Sequence, residues 1–328
     1  MQAAGGFERN RVWREPVNIF LCSEIQPKLE AGLMLTLQDL YGLYERHQHA
    51  ADVRVENFSI GGRHFDFGAT KAIMGVVNLS TDSWYRESVC MSPEAAVRRA
   101  RVLAAQGADI IDIGAESTLP HAARVDGAAQ KNALLPVLET LAGDGILTSI
   151  ETYDASVAKE TLRAGAAIIN LTGPRASEEI YSAIAEADAG VIICYVQGET
   201  VRDVEGFDLS RDPVAAMYEF FAREIDVATG LGVSRIFIDA GLGFYYKNLL
   251  DSKTRIQFQM QTFLSAFRLR NLGFPVCNAL PHAFEYFGDE VRSAEPFFAV
   301  LAALGQTDLY RTHEVPRVKA VLDTLALY

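Results

Sequence analysis

Residues 71–83 read KAIMGVVNLSTDS and residues 109–120 read DIIDIGAESTLP. Each stretch begins as a short apolar run and ends abruptly in Asn, Asp, Ser, Thr and Glu. A parallel strand covered on both faces has this texture, handing its polar side chains to one end of a sheet. Working outward, similar runs occur at residues 147–150, 167–170, 190–194, 235–238, 275–278 and 307–310. Between them lie amphipathic stretches of helical period, at 92–106, 154–164, 177–187 and 213–231. Ser92 with Pro93 and Glu94 suits a helix start. Gly107, Gly165 and Gly232 each fall just after a helical stretch and just before a strand, where helix C-caps place glycine. Roughly eight strand–helix units in about 250 residues is the count of an α/β protein of the (β/α)8 TIM-barrel type. A doubly wound open sheet would usually need fewer strands and a Gly-rich phosphate turn, which this sequence lacks.

Residues 1–70 have a different texture. Residues 26–49 can form a helix, and residues 52–67 (DVRVENFSIGGRHFDF) read as two strands joined at Gly61-Gly62. The expected organisation is an N-terminal extension over residues 1–50 and a barrel over 51–328. A hairpin at 51–68 would close the barrel's bottom.

Composition narrows the partners. The chain has 328 residues, 49% of them hydrophobic and 22% charged, so it can bury a substantial core. A formal net charge of −12 argues against nucleic acid, whose phosphates demand a basic surface. An anionic small substrate would need a local cationic cluster. Cys22, Cys90, Cys194 and Cys277 show no CxxC or Cys/His spacing; Cys194 and Cys277 sit in apolar runs and read as buried thiols of a cytosolic protein. The N-terminus has no apolar signal region, and no run approaches a membrane span, so a soluble, cytoplasmic protein with no membrane partner is expected.

In such a barrel the active site gathers at the C-terminal ends of the strands. In strand order the polar residues there are Asn78 and Asp82; Asp112, Glu116, Ser117 and Thr118; Glu151 and Thr152; and Asn170. Gln197, Asp239 with Phe244, His282, and Arg311 with His313 complete the ring. Carboxylates aimed inward suit a heterocycle whose edge offers several coplanar N–H donors. An Arg and a His side by side suit an oxyanion such as phosphate. His47, His49, His64 and His121 show no metal-type spacing and read as surface or hairpin residues.

These motifs together resemble dihydropteroate synthases of the pterin-binding (β/α)8 family. The matching segments are MGVVNLSTDS (74–83), GADIIDIGAESTLP (107–120) followed by Arg124-Val125, SIET (149–152), AGAAIIN (164–170), IDAGLGF (238–244) and RTHEV (311–315). The resemblance covers roughly residues 58–325. It implies a dihydropterin diphosphate bound deep in the barrel, with the ring held by Glu151, Asn170 and Asp239. It implies that Arg311 stacks on the ring and His313 faces the diphosphate. Asn78 would meet a diphosphate-bound Mg2+, with Asp112 near the same region as a catalytic group. Thr118, Pro120 and Phe244 correspond to the p-aminobenzoate pocket, so an aniline-type acceptor is the second partner. A homodimer through the late helices is also implied, and residues 297–304 (FFAVLAAL) are apolar enough for one.

The sequence departs from the family pattern where cations are expected. No Lys stands in NALPHAF (278–284), where the family has Ser-Arg-Lys after the seventh strand. The Arg expected after Thr118 is Leu119, and the usual strand-3 Asp is Glu151. Each lost contact to an anion could be worth about 1.5–3 kcal/mol. Arg86, Arg124 and Lys247 are candidate replacements, and His282, near the lysine's place, could serve if protonated. The sequence therefore reads as a divergent, Mg2+-dependent dihydropteroate synthase. The alternatives are a pterin-binding paralogue with another activity, such as pterin-dependent methyl transfer, and a non-catalytic pterin-binding protein.

Overall fold

Eight parallel strands close on themselves, and everything that places the site follows from that closure. The structure is a computed structural model and describes residues 34–80, 88–118, 122–203, 212–244 and 251–328. The chain divides into two units, Met1–Leu35 and Thr36–Tyr328, and the elements named here all belong to the second. In chain order they begin with helix α1 (Leu37–Ala51) and the hairpin strands β1 (Phe58–Ile60) and β2 (Arg63–Phe65). The barrel strands are β3 (Ala72–Asn78), β4 (Ile110–Gly114), β5 (Thr148–Thr152), β6 (Ile168–Leu171), β7 (Gly190–Cys194), β8 (Arg235–Asp239), β9 (Val276–Ala279) and β10 (Leu309–Thr312). The sheet order is β10-β3-β4-β5-β6-β7-β8-β9, a closed ring in which every neighbour is parallel. The TIM barrel expected from the repeating apolar runs is thus present, with an N-terminal helix and hairpin.

Helices α2 (Pro93–Ala105), α3 (Gly127–Gly143), α4 (Ala155–Arg163), α5 (Ser177–Glu186), α6 (Pro213–Gly230) and α7 (Ser252–Ser265) run between successive strands. A short α8 (Phe284–Phe287) and then α9 (Ala294–Leu304) link β9 to β10, and α10 (Val315–Leu325) closes the chain. Ser92 accepts a hydrogen bond from the Ala95 amide and caps α2, as its place before Pro93 predicts. Gly107, Gly165 and Gly232 have φ of 106°, 100° and 98°, the left-handed turns that end a helix cheaply only with glycine. The sequence signal for α3 and α7 is weaker than for the other long helices. Pro136 interrupts α3, whose apolar residues are spread around its circumference. The helix read over 26–49 is described from Leu37, and residues 26–33 lie outside the described residues. No helix among the described residues is long and apolar enough to cross a membrane.

The hairpin meets the barrel at the N-terminal ends of its strands. Gly61 and Gly62 both have positive φ, which a tight two-residue turn requires. Phe58 and Phe65, with Phe67 beyond the hairpin, surround Phe237 of β8, with ring centroids 5.2, 6.1 and 5.7 Å from it. Ile60 fits against Gly190, where β7 begins. The hairpin therefore covers this end with aromatic and aliphatic carbon around Phe237.

Candidate functional site

At the opposite end the inner wall is polar. Asp112 pairs in register with Ser149, Gly114 with Glu151, and Glu151 with Asn170. Asp239 lies between Cys194 and Cys277. Because alternate residues of a strand face the same way, Ser149 must share the inner face with Glu151, and Asp112 with Gly114. Gly114 borders both Glu151 and Asn78: a Cβ there would stand 3.6 Å from Glu151 Oε2 and 3.8 Å from Asn78 Oδ1, ordinary contact distances.

One network joins five of the strands. Asp112 is fully buried, and its carboxylate accepts from Ser149 Oγ (2.7 Å), Asn170 Nδ2 (3.1 Å) and Arg311 Nε (2.7 Å). Arg311 also donates to Glu151. The Asn170 carbonyl oxygen accepts from Cys194 Sγ at 3.1 Å. Burial pushes the Cys194 and Cys277 thiols well above their ordinary range, which keeps them protonated as donors. Asp239 accepts from the Gly241 amide at 2.7 Å. Burial raises the Asp239 carboxyl, against the pull of that amide and of Cys277.

Charge is unevenly balanced here. Burial works against the Arg311 cation, but Glu151 and Asp112 more than offset it and hold the guanidinium protonated. Burial pushes Glu151 up to about 7; Arg311 opposes the shift, while Asp112 and Asp239 reinforce it. Three carboxyl groups thus surround one guanidinium whose two edges are occupied. Its flat face is left as the natural contact for a planar ring.

The surrounding loops are braced from below. Glu116 accepts from Tyr153 Oη (2.5 Å) and the Val125 amide (3.1 Å). The buried Arg202, in the segment after β7, donates to Glu116 and to the backbone carbonyls of Ser117, Ala122 and Ala123. Glu116 therefore organises the loop after β4. Thr118 and Phe244 stand half-buried at the same end. Of the expected site residues, Pro120 lies outside the described residues, as do Leu119, Arg86 and Lys247. Arg124 is described, and is spent on Tyr153 (3.1 Å) and Asp203 (3.3 Å).

Asn78 and the two histidines sit on the rim. Asn78 Nδ2 donates to Ser88 Oγ at 2.6 Å. His313 Nδ1 is 2.9 Å and His282 Nδ1 3.4 Å from Glu295 Oε1, and the two rings are 4.9 Å apart. Sequence reasoning offered a protonated His282 as a substitute cation. Burial, reinforced by the neighbouring His313, pushes the His282 imidazole down to about 4, which weighs against that role at pH 7.

Comparison with known proteins fits this geometry. The model of the pterin binding enzyme family matches residues 74–279, which run from β3 to the end of β9. The chain belongs to the pterin-binding enzyme family. It is 34% identical to the folate synthesis bifunctional protein of Arabidopsis thaliana over 195 residues, 56% of this chain. It spans 40% of that relative's length. A solved dihydropteroate synthase of Clostridium difficile, determined in the presence of pteroic acid, superposes with a TM-score of 0.69 at 28% identity, covering 80% of this chain and 99% of that one. The synthase of Xanthomonas albilineans with 4-aminobenzoic acid gives 0.69 at 26% identity, covering 84% and 98%.

Within this pterin-binding barrel, sequence reasoning missed Ser149, Cys194, Cys277, Arg202 and Glu295. The first three carried a findable signal, since each lies in an apolar strand on the face period 2 assigns to the interior. Arg202 and Glu295 carried none, because their partners come from loops distant in sequence.

Proposed function

We propose that the chain is a dihydropteroate synthase, joining a dihydropterin diphosphate to p-aminobenzoate with release of diphosphate. The observation carrying this reading is the network of Asp112, Glu151, Asn170 and Arg311, with Asp239 beside it, gathered from five strands at one barrel end. Glu151, the Asn170 carbonyl and Asp239 are the acceptors for the ring's N–H edge, and Arg311 is the platform on which it stacks. Asp112 acts through Arg311 and Asn170 as a positioning residue, its oxygens already engaged by three donors. Thr118, Phe244 and Pro120 form the aminobenzoate side, and the synthases solved with pteroic acid and with 4-aminobenzoic acid support the two substrates.

In the reaction the bond between the pterin methylene carbon and the diphosphate oxygen breaks, and the electron pair leaves with diphosphate. The aniline nitrogen then bonds to that carbon and loses a proton. Positive charge develops on the pterin between those steps. Three carboxyl groups around one guanidinium favour it electrostatically. His313 faces the leaving group. Asn78 supplies a hard amide oxygen, the donor type Mg2+ accepts, on the same inner wall as Glu151. It is the residue that would hold the ion, and bound Mg2+ would neutralise diphosphate charge. The buried free thiols Cys90, Cys194 and Cys277 fit a reducing cytoplasm. The exposed Phe297 and Leu304 of α9 fit a homodimer contact.

Purified protein should release diphosphate only when dihydropterin diphosphate, p-aminobenzoate and Mg2+ are all present. Pterin binding without release would favour a repurposed barrel, a reading that the absent lysine and the neutral His282 also suit. Unchanged pterin affinity in Glu151→Ala and Asn170→Ala would overturn the site itself.

A further inference from the structure

The rim between β9 and β10 holds a cluster that the pterin network does not use. His282 follows β9, His313 follows β10, and Glu295 comes from the first turn of α9, which links the two strands. One ligating atom from each lies within 4.8 Å of the others. The Glu295 carboxylate is fully buried, and its Oε2 accepts from Thr312 Oγ and from the backbone amides of His313 and Glu314, both at 3.0 Å. That grip leaves Oε1 turned toward both imidazole Nδ1 atoms. Of the arginines on this side, Arg292 and Arg317 pair with Glu314, and Arg99 donates to the His313 backbone carbonyl at 3.3 Å. Both histidines pair with Glu295.

We propose that His282, Glu295 and His313 bind a divalent transition metal of the zinc class. Two imidazole nitrogens and one carboxylate oxygen are a donor set that zinc takes in open, three-ligand sites. Tetrahedral zinc with bonds of about 2.0–2.1 Å puts its ligands about 3.3 Å apart. The spacings of 2.9 and 3.4 Å from Glu295 Oε1 already bracket that value. The hydrogen bonds behind Glu295 are the orienting contacts that metal-binding carboxylates characteristically have. The site differs from the hard-oxygen position at Asn78 in both donors and preferred ion. A divalent cation here also offsets the charge of the buried Glu295 carboxylate. The His282 and His313 side chains are slightly exposed, which brings the metal's fourth position within reach of solvent. That position takes an oxygen of a phosphate-type anion; this assignment of the fourth position rests on the synthase reading, whereas the metal site does not.

Cobalt(II) titrated into the full-length protein, freed of metal and supplied with no substrate, should give one saturable tetrahedral d–d absorption band. The band should be lost in His282→Ala and in His313→Ala and kept in Asn78→Ala. No band, or a band undiminished in both histidine variants whose circular dichroism is native, would overturn the site. Inorganic phosphate should shift the band; an unshifted band would overturn the assignment of the fourth position. Because the titration contains neither pterin nor aniline, failure of the synthase reading would show in the diphosphate assay and leave the cobalt result standing.

Discussion

The two ends of the barrel are built on opposite principles. At the bottom, Phe58, Phe65, Phe67 and Phe237 pack ring against ring, so each of these contacts adds stability through buried area, and the one buried carboxylate described nearby, Asp308, is paired with Lys71 and Arg270. At the mouth, Asp112, Glu151, Asn170, Asp239 and Arg311 are buried or nearly so. Burying those charges costs stability unless every partner is present. The difference separates labour within one tube: the bottom holds the fold, and the mouth spends part of that stability on a preorganised polar wall.

Removing the mouth's cation should break this division most severely. Arg311→Ala strands Asp112 and Glu151 without their partner and should destabilise the protein by about 3–5 kcal/mol while abolishing diphosphate release. Urea unfolding and the release assay check both halves. At the other end, Phe67→Ala should cost about 3 kcal/mol in the same unfolding experiment. The Michaelis constant for the pterin should stay near wild type; a large rise would mean the two ends are not independent.

The mouth should also be pH-sensitive through Glu151, whereas the Phe67 packing should not. The folded chain holds the Glu151 carboxyl near about 7 against an ordinary 4.5, so the folded state binds that proton more tightly. The associated stability is fully present below about pH 4.5 and is lost as pH rises through about 7. Up to about 3 kcal/mol is at stake. The difference in unfolding free energy between wild type and Glu151→Gln, followed across that range, should show it, whereas the Phe67→Ala difference should stay flat. The smallest effect is expected for Cys194→Ala. It removes one donor to Asn170 and should weaken pterin binding by about 1 kcal/mol in calorimetry.

Much of the mouth was legible in the chain. Apolar runs ending in Asn78, Asp112, Glu151, Asn170, Asp239 and Arg311 marked both the strands and the end at which the site would form, because a parallel strand must be apolar along its length and can be polar only where it exits. The pairings were not legible. Arg311 bonds Asp112 and Glu151 across 199 and 160 residues, and no local pattern announces partners that only closure of the ring brings together. Glu295 was hidden more thoroughly, reading as an ordinary acid at the start of an apolar helix.

The order of strands, their direction and the residues delivered to the mouth are thus properties of the sequence alone, since they follow from local periodicity and from what a buried backbone tolerates. Which charges neutralise one another, that His282 stays neutral, and that Glu295 stands between two imidazoles were decided only by the tertiary structure. The physical reason is that desolvation and Coulomb interactions depend on distances through space, which the barrel sets and the spacing along the chain does not.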